Sequence, residues 1–184
     1  MKQADSWCSG YTHRFLEALA AMTPAIELLN QLGHPYDLRT FDHPAKERNY
    51  AQAAATALNI PADQIFKTLL WRLNTGVQIV AIAAASEAIN PKALAKLAAA
   101  KKAELLDAKK AESTTGYLIG GISPLAQKQR LPTFVSETAS RHSMIYVSAG
   151  RRGLEVGLEP NLLIELTEAT LGAFTTPALS LIHI

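Results

Sequence analysis

The sequence contains a single cysteine, Cys8, so the chain can form neither an intramolecular disulfide nor a thiolate metal cluster. It also has little excess charge, since 18 Lys and Arg against 16 Asp and Glu leave a formal charge of +2. A charge this small excludes binding of nucleic acid by bulk electrostatics alone, so any RNA contact must be local. The N-terminus does not combine a basic stretch, an apolar core and a cleavage site, and we therefore expect a cytoplasmic protein.

Long apolar runs are lacking as well. The longest, residues 77–85, is interrupted by Gln78 and has about half of the roughly 20 residues that a membrane helix needs, so no membrane span is expected. The five histidines are scattered along the chain and form none of the patterns that bind zinc. We expect neither a metal site nor a cofactor.

The common motifs of covalent and phosphate chemistry are also missing. Ser123 follows a glycine at the spacing of a nucleophile elbow, but Leu125 stands where the elbow needs a second glycine. The Gly-Arg-Arg-Gly segment at 150–153 is too short for a phosphate-binding loop, and no helix signal follows it. The sequence therefore predicts neither a serine hydrolase nor an enzyme of nucleoside triphosphates.

What the sequence does contain is a succession of helix and strand signals in 184 residues, of which 48% are hydrophobic, as expected for one compact domain. Helices are predicted from Pro24, with Thr23 as cap and Gly33 as end, and at 51–58, 91–100, after Asp107 and at 160–166. Strands are predicted at 36–40, 65–73, 77–85, 116–119, 133–136, 144–148 and 154–158, the second and third as an antiparallel hairpin. Because helices and strands do not alternate strictly, we expect an α+β fold with a mixed sheet.

The two ends of the chain do not share this pattern. We expect residues 1–21 to be a flexible N-terminal extension and residues 173–184 to be a C-terminal tail. The single domain is predicted to span residues 22–172.

Two features are candidates for function. Lys67 has apolar neighbours within a predicted strand, where it is either desolvated in a pocket or placed on the wet face of an edge strand. Two glycine-rich segments, 116–121 and 148–153, follow apolar strands, where they form simple turns or bring backbone N–H groups to a ligand. In the second segment Arg151 and Arg152 add donors that suit a phosphate. The pattern alone leaves both alternatives open.

Four segments resemble the YbaK family of editing proteins in order and spacing. They are Thr-Pro-Ala at 23–25, Phe-Lys-Thr-Leu-Leu at 66–70, residues 115–125 and residues 145–155, and the resemblance extends from about residue 22 to 172. The family is related to the editing domain of prolyl-tRNA synthetases. The resemblance implies a mixed, largely antiparallel sheet surrounded by helices, and it identifies Lys67 with the family's essential lysine.

The activity implied by the resemblance is deacylation of cysteinyl-tRNA(Pro), with the cysteine thiol rather than a protein side chain as the attacking group. In this interpretation Lys67 positions the substrate, and prolyl-tRNA synthetase is a possible partner in a ternary complex. The implied substrate-binding residues are Phe41, Tyr50, Thr68, Gly120, Gly121, Ser148, Gly150 and Glu155. Phe41 stands where well-known members have tyrosine, which leaves two alternatives: an alanyl-tRNA(Pro) deacylase and a non-catalytic module that binds aminoacyl-tRNA.

Overall fold

The computed structural model describes residues 22–42 and 49–178. Within these ranges the α-helices are α1 (Pro24–Leu32), α2 (Tyr50–Leu58), α3 (Pro91–Leu97), α4 (Ala108–Thr115) and α5 (Pro160–Thr167), and Glu137–Arg141 forms a 3-10 helix. The strands are β1 (Asp37–Thr40), β2 (Ile65–Leu73), β3 (Gln78–Ala84), β4 (Glu87–Ile89), β5 (Ala103–Leu105), β6 (Thr133–Ser136), β7 (Ile145–Arg151), β8 (Leu154–Leu158), β9 (Thr170–Gly172) and β10 (Thr175–Pro177). The predicted α+β class is confirmed.

The helix ends follow local chemistry that the sequence displays. The Thr23 hydroxyl accepts a hydrogen bond from the N–H of Ile26, Pro24 occupies the first turn of α1, and Gly33 ends the helix at a left-handed φ of 70°. Asn90 caps α3 in the same way, with its side chain accepting bonds from two backbone N–H groups. These predicted boundaries are confirmed.

The strands form a mixed sheet with the order β1-β8-β7-β2-β3-β6-β9, in which β5 also pairs with β2. The pairs β1/β8, β7/β8, β2/β3 and β2/β5 are antiparallel, whereas β2/β7, β3/β6 and β6/β9 are parallel. The predicted β2/β3 hairpin thus lies at the centre of the sheet. A separate antiparallel pair joins β4 to β10.

Helices cover the sheet on both faces, and the alternation of β2 shows how. Phe66 and Leu70 point into a core cluster built with α1, α4 and α5. Trp71 points to the opposite face, into a cluster built with α3, and Ile65 packs on that face against α2. With apolar residues buried on both faces, β2 is an interior strand, which accounts for its nearly continuous apolar sequence.

Two expectations differ from the structure. Residues 116–119, predicted as a strand, instead form a turn after α4, because Gly116 adopts a φ of 80° and ends that helix. The tail expected from residue 173 is in part folded: Phe174 is 1% exposed in the cluster beside α3, and Thr175–Pro177 pairs with β4. The expected extension at 1–21 and residues 179–184 lie outside the described ranges, and the domain boundaries stay a prediction.

Candidate active site

An opening in the central sheet forms the site. On the edge of β2 opposite β3, the parallel pairing with β7 covers only Ile65 and Phe66, and the pairing with β5 begins only at Trp71. Between these two pairings no described strand is paired with residues 67–69 on that side. The strand edge there borders a cavity.

The direction of the backbone groups at this edge follows from the bonds on either side of it. Backbone groups of successive strand residues point alternately to the two neighbouring strands. The carbonyl oxygens of Gln64 and Leu70 accept bonds from β7 and from the residue after β5, whereas that of Ile65 accepts a bond from the residue after β3. The backbone N–H and C=O groups of the even-numbered residues of β2 therefore point toward the opening. The N–H and C=O of Thr68 point into it, with no described backbone group bonded to them.

The cavity at this opening has a volume of about 380 Å³, which suits a small ligand. It is lined mainly by apolar side chains from β2, α4 and the segments that follow β5 and α4. The lining residues are Asn49, Tyr50, Ala51, Ile65, Phe66, Lys67, Thr68, Leu69, Leu70, Leu105, Leu106, Ala108, Ala111, Ile119, Gly120, Ile122, Ser148 and Glu155. Six residues expected at the site from the sequence are thus brought together here: Tyr50, Lys67, Thr68, Gly120, Ser148 and Glu155.

Two hydroxyl groups in this lining lack partners. The Oγ1 atom of Thr68 and the Oγ atom of Ser148 are buried and make no hydrogen bond to any described residue. A buried polar atom without a partner costs about 1–3 kcal/mol, so such atoms are rare unless a ligand or water satisfies them. Their position in the cavity lining indicates a ligand with polar groups at this point.

Lys67 is half-buried and its ammonium group is held in place. The Nζ atom donates a hydrogen bond to the carbonyl oxygen of Glu87 in β4. Burial lowers the pKa of Lys67 below its usual value, and the nearby Glu87 carboxylate offsets this only in part. Of the two alternatives open from the sequence, the structure shows the first: the lysine lines a pocket and is not on the wet face of an edge strand.

Glu155 is the acidic residue of the cavity lining. It lies on β8, directly opposite Ser148 of β7, and is 7% exposed. Burial raises its pKa to about 8. At neutral pH its carboxyl group is therefore mostly protonated and can donate a hydrogen bond.

Gly120 brings the chain against the ring of Tyr50. It has a φ of 84°, and a Cβ atom at this position would lie 2.5 Å from the Tyr50 Cε1 atom. Only glycine permits this approach. No hydrogen bond in the described structure uses the Gly120 N–H, which leaves it available to a ligand oxygen.

Three other residues expected at the site do not line the cavity. The Gly121 N–H donates to the carbonyl of Leu118, so it serves the turn. Gly150 packs against the ring of Tyr117, where a Cβ atom would lie 2.7 Å from its Cε1 atom. Phe41 pairs through its backbone with Gly153 and lines a separate polar cavity. Sequence reasoning also missed the free strand edge at Thr68, which depends on the distant strands β5 and β7.

Two further properties concern the described residues as a whole. They contain no group of three or more His, Cys, Asp or Glu side chains arranged to hold a metal ion. They also contain no helix with the length and apolar character needed to cross a membrane.

Comparison with known proteins identifies the family. Residues 45–166 match the sequence profile of the aminoacyl-tRNA editing domain. The chain belongs to the aminoacyl-tRNA editing domain family. This agrees with the resemblance seen in the sequence motifs, and it makes the cavity beside Lys67 the candidate site of an editing domain.

Related proteins support the assignment along most of the chain. EbsC of Enterococcus faecalis is named as a candidate Cys-tRNA(Pro)/Cys-tRNA(Cys) deacylase. It is 36% identical to this chain over 154 residues, which cover 84% of this chain and 93% of EbsC. The crystal structure of the hypothetical protein APE2540 superposes with a TM-score of 0.74 at 25% identity, covering 84% of this chain and all of that one. A candidate trans-editing enzyme for prolyl-tRNA synthetase shares the fold, with a TM-score of 0.72 at 19% identity over 84% of this chain and 98% of its own.

Proposed function

We propose that this protein is an aminoacyl-tRNA deacylase that removes cysteine mischarged on tRNA(Pro). The observation that carries the proposal is the cavity at the free edge of β2, which is lined by Lys67 and by the partnerless hydroxyls of Thr68 and Ser148. The chain that holds this cavity belongs to the editing domain family. The substrate is inferred from the relative EbsC, whose name specifies cysteinyl-tRNA.

The cavity offers suitable contacts for an aminoacyl ester. The Thr68 carbonyl accepts hydrogen bonds, as an α-amino group requires, and the Gly120 N–H donates, as the ester carbonyl oxygen requires. The apolar side chains of β2 and α4 suit a small, weakly polar amino-acid side chain. Charge that develops on the carbonyl oxygen during attack would be stabilised by the Gly120 N–H and by the Lys67 ammonium.

The described lining provides no nucleophile of the serine or cysteine type activated by a histidine. It contains no histidine or cysteine, and the hydroxyl groups of Thr68 and Ser148 are not bonded to any described base. In our proposal the cysteine thiol of the substrate attacks its own ester carbonyl. The S–C bond forms, the C–O bond to the terminal ribose breaks, and the ribose hydroxyl leaves with the proton that the thiol loses. The protein contributes position and charge.

Replacement of Lys67 tests this proposal. Because Lys67 is held at the cavity by its bond to the Glu87 carbonyl, Lys67→Ala should lower kcat/KM for Cys-tRNA(Pro) by about 100-fold or more, with a smaller loss in Lys67→Arg. Lys96→Ala is the matched control, since Lys96 is exposed on α3 away from the cavity. A rate for Lys67→Ala near that of the wild type, with the fold intact, would refute the role of Lys67.

The same assay decides among the alternative activities. No described lining residue carries a group that pairs specifically with a thiol, so alanine, which is smaller, fits the same cavity. Cys-tRNA(Pro), Ala-tRNA(Pro) and Pro-tRNA(Pro) are therefore compared, each with and without added prolyl-tRNA synthetase. Preference for alanine would assign the alanyl-tRNA(Pro) deacylase activity. Binding of all three without turnover would make the protein an aminoacyl-tRNA-binding module.

A further inference from the structure

Arg152 lies at the rim of the cavity without lining it. It occupies the turn between β7 and β8, after an irregularity in the pairing between Ser148 and Arg151. This turn packs closely on the loop that carries Gly120: a Cβ atom on Gly121 would lie 2.8 Å from the Arg152 nitrogen. The backbone of Arg152 is thus fixed relative to the cavity mouth.

The side chain of Arg152 is held by two residues that do line the cavity. Its Nε atom donates a 2.7 Å hydrogen bond to the carbonyl oxygen of Ile119. Its guanidinium group lies over the Tyr50 ring, 5.2 Å from the ring centroid. These two contacts fix the plane of the guanidinium, and no hydrogen bond to a described residue uses its terminal N–H groups.

The charge of Arg152 has no counterpart in the described structure. Arg39, Arg72 and Arg130 each form an ion pair with a carboxylate, whereas Arg152 has none within 4 Å among the described residues. The residue is exposed. An oriented guanidinium with free terminal donors matches the geometry of a phosphate group, which it binds with two parallel hydrogen bonds.

We propose that Arg152 binds the phosphodiester on the 5′ side of the terminal nucleotide of the aminoacylated RNA. The proposal rests on the proposed function. With the aminoacyl ester in the cavity, the ribose that bears it stands at the mouth, and the phosphate attached to that ribose is the first charged group outside. Lys67 is less suited to this phosphate because it is half-buried and already donates to the Glu87 carbonyl. In our proposal Lys67 instead stabilises the charge that develops on the ester carbonyl oxygen.

Binding rather than turnover is measured, so that the test does not depend on deacylation. The probe is a short RNA hairpin with the acceptor-stem sequence and cysteine joined to its 3′ end through a stable amide. In a second probe a neutral methylphosphonate replaces the terminal phosphodiester, and both probes carry a 2′-O-methyl group on the preceding nucleotide. The Kd of each probe is measured for wild type, Arg152→Gln, Arg152→Lys and the control Arg130→Gln.

We expect the methylphosphonate to weaken binding to wild type and to Arg130→Gln by about 10- to 100-fold. Arg152→Gln should bind both probes equally and weakly, and Arg152→Lys should show a reduced penalty. If wild type binds the two probes equally, or if the penalty persists in Arg152→Gln, the proposal is overturned. The second result would also be obtained if Arg152 served only to hold Tyr50.

Failure of this inference and failure of the proposed function are distinguishable. A protein that shows the expected binding pattern but does not deacylate Cys-tRNA(Pro) refutes the proposed activity alone. A protein that deacylates but is indifferent to the methylphosphonate refutes the role of Arg152 alone. Absence of binding to both probes refutes the role of Arg152, and absence of deacylation as well refutes both.

Discussion

Replacement of Gly120 by alanine tests the contact between the glycine loop and Tyr50. Gly120 has a φ of 84°, where an L-residue is strained, and a new Cβ atom would lie 2.5 Å from the Tyr50 Cε1 atom and 2.6 Å from its Cδ1 atom. Real Cβ contacts are not this short, so the ring must move. Gly76→Ala is the control: Gly76 has a φ of 87° in the turn between β2 and β3, with no atom within 4 Å of the new Cβ.

The two variants separate backbone strain from steric conflict. Both should lose about 1–2 kcal/mol of stability, since alanine is disfavoured at positive φ. Gly120→Ala should lose about 1–3 kcal/mol more, because an overpacked site displaces side chains or backbone. For a chain of this size each kcal/mol lowers Tm by about 2–4 °C, so the difference between the variants is measurable by thermal unfolding.

The functional consequence is measured by deacylation of Cys-tRNA(Pro). Because displacement of Tyr50 removes one wall of the cavity and one support of Arg152, Gly120→Ala should lower kcat/KM about tenfold or more. Gly76→Ala should deacylate at the wild-type rate. Equal losses of stability in the two variants, together with an unchanged rate in Gly120→Ala, would show that the contact is neither tight nor part of the site.

Three further predictions use other features of the structure. Thr68→Val and Ser148→Ala remove partnerless buried hydroxyls, so unfolding free energy should rise or stay constant while kcat/KM falls; a loss of stability would contradict this. The pKa of Glu155 is raised to about 8 in the folded state, so the native protein holds a proton that the unfolded chain releases. The free energy of unfolding of the wild type, measured with denaturant, should therefore fall as pH rises from about 4.5 to 8, and this fall should be smaller in Glu155→Gln. Phe174→Ala should cost about 3–5 kcal/mol in the same assay, whereas Leu118→Ala should be nearly neutral because Leu118 is 69% exposed; equal effects would place Phe174 outside the cooperative unit.

The features that the sequence predicted well are those with local causes. The cap at Thr23 and the left-handed end at Gly33 depend on residues within one turn of the helix, and the β2/β3 hairpin depends on a short turn between two apolar runs. The strand predicted at 116–119 was wrong for the opposite reason. Tyr117 is buried because it packs against the distant Gly150, and Leu118 is 69% exposed, so the apolar character of this segment does not come from a strand.

The features of the site likewise divide into those that the sequence predicted and those that depend on tertiary structure. The motif containing Lys67 identified the strand, and the family resemblance identified six residues that do line one cavity. The unpaired edge at Thr68 was not predictable, because it exists only where β7 leaves β2 and β5 has not yet joined it. The position of Phe41 also depends on tertiary structure: its backbone pairs with Gly153, and this pairing places it beside a separate polar cavity.

The opening beside β2 joins the fold to the proposed chemistry. An interior strand is normally bonded along both edges, but no described backbone group is bonded to the N–H and C=O of Thr68, which lie next to the partnerless hydroxyls of Thr68 and Ser148. The antiparallel pairing with β3, which extends from Phe66 to Arg72, holds the strand in place and keeps these groups oriented without a ligand. Groups that are already oriented lose little entropy when they bind, and they meet the developing charge of the reaction without rearranging. The same absence of backbone bonds would allow β2 to bind the aminoacyl group of the proposed substrate.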